Sequence, residues 1–310
     1  MSRTAFIYEK VADEMVKAMQ STDTVPWRQP WSGSWLPRNG YNGRLYKGVN
    51  VWLLQAVAWN RGFKTNDWFT FKNAFRAKGV IKEGVKSPCF VVYWKQMKKA
   101  TEPEDAPKER GTKSGTYLFI RYYPVWNKDQ IVFSEDSVLA PEVEELTGGD
   151  KLEGINSTIA HMQKDGLEYA QGEPCYIPHY DRVEMPPKEA FINNDSYASV
   201  LFHELSHATM HPTRLHRDIP KRGDSSYARE ELIAELASSY ICQYYQITSN
   251  MQEKHAKYLK HWCDQIKEEP KYIFTIARAA QEAARYVLNY PTDTVWKDEN
   301  GREGDVGAKS

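Results

Sequence analysis

The segment VLFHELSHATM, residues 200–210, constrains this chain more than any other. It sets His203 and His207 four residues apart and places Glu204 beside them. On a helix, residues i and i+4 share a face, so both imidazoles can reach one cation. Glu204 is then placed to take the proton of a water attacking a carbonyl, which makes it the candidate catalytic base. Val200, Leu201, Leu205 and Ala208 surround the histidines as they would on a helix buried along one side. Polar groups on such a helix need partners. The fold must therefore bring acidic side chains to this helix.

A catalytic zinc site takes three protein ligands and keeps a fourth position open. The helix expected over SSYAREELIAELASSYICQYY, residues 225–245, offers Glu230, Glu231 and Glu235. Glu235 stands among Leu232, Ala234, Leu236 and Ala237, where an unpaired carboxylate is costly. The expected ligand set is His203, His207 and Glu235, with Glu231 in reserve. His211 continues a row that drifts around the helix, so it is expected off the metal. Asp195, Asp218 and Asp224 are candidates to accept from the outer ring nitrogens. For two histidines and a glutamate the default ion is Zn2+, and Mn2+ or another divalent ion suits the same donors.

The net charge of zero conceals a split. Residues 1–130 hold 22 Lys+Arg against 11 Asp+Glu, and the rest of the chain reverses the balance with 19 against 30. Eight of the ten tryptophans fall in that basic stretch. Basic grooves follow phosphates and aromatic faces stack bases, so this half predicts a single-stranded nucleic acid partner. The candidate contacts are Trp27, Arg28, Trp31, Arg38, Asn39, Tyr41, Arg44, Tyr46 and Lys47, with Lys72 and Arg76 in a second basic cluster. No zinc finger, helix-turn-helix or RNP signature is present, which argues against sequence-specific duplex readout.

The pattern predicts an α+β fold in two domains. Residues 1–133 read as an N-terminal α+β domain opening on an amphipathic helix (Phe6, Val11, Met15, Met19). In it VNVWLLQAVAWNRG is a buried helix ending at Gly62, and Asp67 is expected to cap a second over WFTFKNAFRAKG. Two strands follow as a β-hairpin with a flexible polar insert at about 100–115. Residues 134–150 read as a linker. Residues 151–290 read as a mostly helical domain with two short strands at CYIPHY and DRVEMP, and 291–310 as a polar tail. No apolar run approaches the ~18 residues of a membrane span. The start carries no secretory signal, and Cys89, Cys175, Cys242 and Cys263 form no CxxC, so a cytoplasmic location with free thiols is expected.

Longer stretches carry a resemblance. VPWRQPW, NGYNGRLYKGVNVWLL and DWFTFKNAFRAKGVIKEGVKSPCFVVYW resemble the DNA-binding domain of the ArdC family of plasmid antirestriction proteins. PCYIPHYDRVEMPPKEAFINNDSYASVLFHELSHATMHPTRLHR and YAREELIAELASSYIC resemble that family's metallopeptidase domain, in the same order. The resemblance covers about residues 5–290. It implies non-specific single-stranded DNA binding, a zincin-like domain with ligands His203, His207 and Glu235 and base Glu204, and protection of incoming plasmid DNA from host restriction during conjugation. Ala208-Thr209-Met210 stands where relatives more often have Trp-Thr-Gly, a departure that spares every expected ligand. Two other readings fit the residues: a DNA-binding shield whose metal is structural, or a metallopeptidase whose basic face binds a protein. A DNA-bound protein is a further candidate substrate.

Overall fold

The computed structural model describes residues 3–20, 27, 35–98, 116–220, 225–248, 258–290, 296–297 and 303–304. The expected insert at 100–115 and most of the expected tail lie outside these residues.

Helix α1 (Arg3–Gln20) buries Ile7, Val11, Met15 and Met19 and packs on helix α2 (Val49–Arg61). Residues Val49 to Ala58 of α2 are all buried, as an apolar run without a polar face requires. Gly62 ends α2 in the left-handed conformation at φ 67°, a position that glycine adopts without steric cost.

Strands β1 (Arg38–Asn39), β2 (Asp67–Thr70), β4 (Cys89–Lys98) and β5 (Thr116–Asn127) form a four-stranded sheet in the order β1-β2-β5-β4. The expected hairpin is β4–β5, registered from Cys89↔Val125 to Lys98↔Thr116. Asp67 does not cap a helix. It sits in β2, paired in parallel with Arg38 of β1, whose Nε donates to its Oδ1 at 2.6 Å. Trp68 and Phe69 are both fully buried, which a sheet strand permits and an exposed helix start does not. The helix begins after them, as α3 (Phe71–Arg76), capped by the Thr70 hydroxyl. A small antiparallel pair, β3 (Gly79–Ile81) and β6 (Ile131–Phe133), covers a second cluster made of Phe69, Ala74, Ala77 and Ile131.

Residues 134–147 contain no helix or strand. They are tied to both sides, since Arg38 Nη1 donates to the Pro141 carbonyl and the Leu146 N–H donates to Gln246 Oε1. Helix α4 (Gly148–Lys164) starts on a reciprocal Thr147–Asp150 capping box. A three-stranded sheet follows in the order β7-β9-β8, from β7 (Glu168–Gln171), β8 (Cys175–Ile177) and β9 (Arg182–Met185). The β8 strand is at one edge. Helices α5 (Asn194–Ala208), α6 (Ser225–Tyr244), α7 (Leu259–Glu268) and α8 (Tyr272–Val287) complete the back half, with α6 packed against both α5 and α8.

One hydrophobic core runs through both halves. It joins Met15 of α1 and Trp52 of α2 to Leu205 of α5, Leu236 of α6, Trp262 of α7 and Ile276 of α8. Buried amides cross the same boundary: Gln55 Nε2 donates to Gln243 Oε1, and Gln243 Nε2 donates to the Trp27 carbonyl.

Candidate metal centre

Helix α5 opens on Asn193, whose side chain accepts from the Ser196 N–H at 2.8 Å. Three turns later it delivers His203 and His207 to one place. Their Nε2 atoms lie 3.1 Å apart. Helix α6 supplies the third donor. Glu231 Oε2 is 3.6 Å from His203 Nε2, and Oε1 is 3.7 Å from His207 Nε2. Donors around one tetrahedral ion with bonds of about 2.1 Å stand about 3.4 Å apart, so these separations fit a single ion. His203, His207 and Glu231 form the one such group among the described residues.

The carboxylate at the imidazoles is thus Glu231, and Glu235 is not part of the group. A helix rises ~6 Å over four residues, enough to carry Glu235 past the histidine pair. Apolar neighbours in sequence could not discriminate between the two, because every residue from Glu230 to Gln243 is buried.

Glu204 is 3% exposed, and its Oε2 accepts the backbone N–H of Tyr176 at 3.0 Å. The β8 edge therefore fixes the orientation of the candidate base. Tyr176 is itself held, its hydroxyl donating to Asp181 Oδ1 at 2.9 Å. Arg214 clasps Asp181 and donates from Nε to the Ala208 carbonyl at the end of α5. His211 turns to this side, with Nδ1 3.7 Å from Asp181 Oδ2, and stays off the metal group.

The outer nitrogen of His207 faces Glu230, Nδ1 to Oε1 at 3.4 Å. Arg217 holds Glu230 with two nitrogens, the Nε bond being 3.1 Å. It also donates to Thr209 Oγ1 at 2.8 Å and to the Ser206 carbonyl at 3.1 Å. Burial alone would raise the Glu230 carboxyl, but hydrogen bonds from His207 and Arg217 outweigh it and hold it below the usual carboxylate range. Burial disfavours charge on His207, yet the hydrogen bond to Glu230 and the charges of Glu231, Glu204 and Glu230 raise it. Three carboxylates, Glu204, Glu230 and Glu231, thus surround the imidazole pair, a setting suited to a divalent cation. Among the described residues neither Asp195 nor Asp218 pairs with His207. Asp195 pairs with Lys151 and the Thr248 N–H, and Asp224 lies outside the described residues. The Glu230-Glu231 doublet was the available sequence signal: one carboxylate beside the imidazole pair and its neighbour behind His207.

The front-half candidates separate by burial. Trp27 and Tyr46 are core residues at 0% and 5% exposure, so neither can stack a base. Arg38 is buried in its ion pair with Asp67 and serves the sheet. Asn39 folds a turn, accepting from the Tyr41 and Asn42 N–H groups. Tyr41 packs against the second, smaller core. Lys47 is half-buried, and burial, with the charge of Arg285 behind it, lowers its pKa. Arg44, Lys72 and Arg76 are exposed. Arg28 and Trp31 lie outside the described residues.

Residues 155–280, which hold the histidine pair, Glu204 and Glu231, match the family of zincin-like metallopeptidases. Residues 5–126 match the N-terminal domain of anti-restriction factor ArdC. The fold is similar to crystal structures of the antirestriction protein ArdC from plasmid R388. The metal-free form has a TM-score of 0.72 at 26% identity, and the Mn(II)-bound form 0.70 at 27%, each covering 91% of this chain and 97% of the other. Protein y4eC of Sinorhizobium fredii (strain NBRC 101917 / NGR234) is 28% identical over 93% of both chains. DNA primase TraC of Escherichia coli is 29% identical over 91% of this chain, which spans only 27% of TraC's length. With both halves matched in order, the chain belongs to the ArdC-like two-domain proteins.

Proposed function

We propose that the chain is an antirestriction protein that binds single-stranded DNA without base preference and carries a metallopeptidase centre. It acts in the cytoplasm, protecting incoming plasmid DNA from host restriction during conjugation. The observation that supports it best is the buried His203–His207–Glu231 group with Glu204 alongside, in a chain whose front half is of the antirestriction type. His203, His207 and Glu231 would hold the ion, Zn2+ by the preference of its donors or Mn2+ as in the relative from R388. When bound, the ion supplies Lewis acidity towards a carbonyl oxygen. Glu204 takes a proton from the attacking water and returns it to the leaving amine. Tyr176 orients that carboxylate, and Glu230, locked by Arg217, orients the His207 ring. A protein bound to the same DNA is the substrate class, because tethering raises its local concentration at the site.

A second reading is favoured by one contact. The Tyr176 N–H already occupies an oxygen of Glu204, which suits a structural metal behind a DNA-binding shield. Glu204→Gln decides between them, in conjugation into a restricting host. The peptidase reading expects lost protection with metal and DNA binding intact. Protection equal to the parent protein assigns the function to DNA binding.

A further inference from the structure

Helix α3 exposes the wrong residues for a helix beside a core. Asn73 and Ala74 face inward, with Ala77 just beyond, while Phe71 and Phe75 are 66% and 76% exposed. Two large exposed rings so close along one short helix suit an interaction site. The two rings are one turn apart, and side chains so spaced stand about 5–6 Å apart at Cβ. Phe71 is braced edge-on by Trp126, with ring centroids 6.4 Å apart, so it is positioned although exposed. Lys72 and Arg76 follow the two rings residue for residue and are also exposed. Lys78, next along, is engaged by Asp136 and is left out.

Two cations interleaved with two rings argue against an apolar partner, which would have to desolvate both charges. They suit a polyanion with free aromatic faces. A duplex hides its base faces in its own stack, whereas a single strand offers them. We infer that Phe71 and Phe75 are a platform on which two bases of a single strand stack, with Lys72 and Arg76 on the phosphates beside them. The inference rests on the reading that this chain binds single-stranded DNA, and it places the contact on α3, not on the buried Trp27 and Tyr46.

The test is fluorescence anisotropy of a labelled oligothymidylate with the full chain, across a salt series. Phe71→Ala/Phe75→Ala and Phe71→Leu/Phe75→Leu should each weaken binding at least about tenfold, as loss of base stacking does. Phe71→Trp/Phe75→Trp should retain it. Lys72→Gln/Arg76→Gln should flatten the log–log salt dependence by about 1.4, or ~0.7 per phosphate contact on a single strand. If the parent protein binds and the leucine pair binds equally well, stacking on α3 is overturned and DNA binding stands. A change only in self-association or in vesicle binding, with anisotropy unaltered, overturns it as well. If the parent protein itself fails to bind, the DNA reading falls and takes the platform with it.

Discussion

Arg217→Met isolates the support behind the metal group. The substitution keeps the apolar stem and removes the guanidinium. It deletes both bonds to Glu230 and those to Thr209 Oγ1 and the Ser206 carbonyl. Glu230 is 5% exposed, so the charge is left buried beside an imidazole. Removing one partner of a buried ion pair costs about 3–5 kcal/mol. The deficit should be measured by urea unfolding in chelator, so that metal plays no part. It should shrink in acid. The Glu230 carboxyl lies below its unfolded value in the intact protein, so the stability it contributes is present above the unfolded pKa and is lost as pH falls through the folded one. Metal affinity should fall about 10–100-fold, because Glu230 no longer fixes the ring of His207. A deficit under ~1 kcal/mol, the size of an exposed pair, would refute the buried network. An unchanged metal affinity would show that Glu230 does not orient His207.

Glu231→Gln should abolish tight metal binding, whereas Glu235→Gln should leave stoichiometric binding by elemental analysis; the reverse result would return the ligand to Glu235. Calorimetry of the full chain should give one transition with equal calorimetric and van't Hoff enthalpies, because the halves share a core. Two separable transitions would contradict this. Gly154→Ala should destabilise by about 1–3 kcal/mol, since a Cβ there would stand 2.2 Å from the Tyr245 ring; denaturant titration reads it directly. Gln243→Leu should cost roughly 1–3 kcal/mol by stranding the buried amide of Gln55 and the Trp27 carbonyl. An effect near zero would show that this crossing is not closed in solution.

The histidine pair was legible because helical periodicity alone fixes which face holds residues 203 and 207. The carboxylate that meets it was not. Its identity depends on how far α6 slides along α5, a tertiary offset to which the apolar residues beside Glu235 are blind. Helix α2 and its stop at Gly62 followed from local signals. Asp67 misled because a carboxylate before an aromatic run is a good helix cap, and only the distant Arg38 shows that it is a sheet partner. Trp27 misled in a related way. Density in a Pro/Gly-rich stretch suggested a surface, yet Trp27 is drawn into the core by contacts more than two hundred residues away in sequence, such as Gln243. Phe71 and Phe75 carry no sequence sign of exposure, since aromatic residues at helical spacing are as common in a core.

The continuous core bears on how such a protein can change over evolutionary time. An exchange of either half would strip apolar faces from α1 and α2 on one side and from α7 and α8 on the other. Viable transfer must move the whole block. The longer TraC chain from Escherichia coli aligns with nearly the full length of this one, not with a single half. A shared interior of this kind turns two domains into one heritable cassette, whose parts can diverge only by substitutions that their common packing accepts.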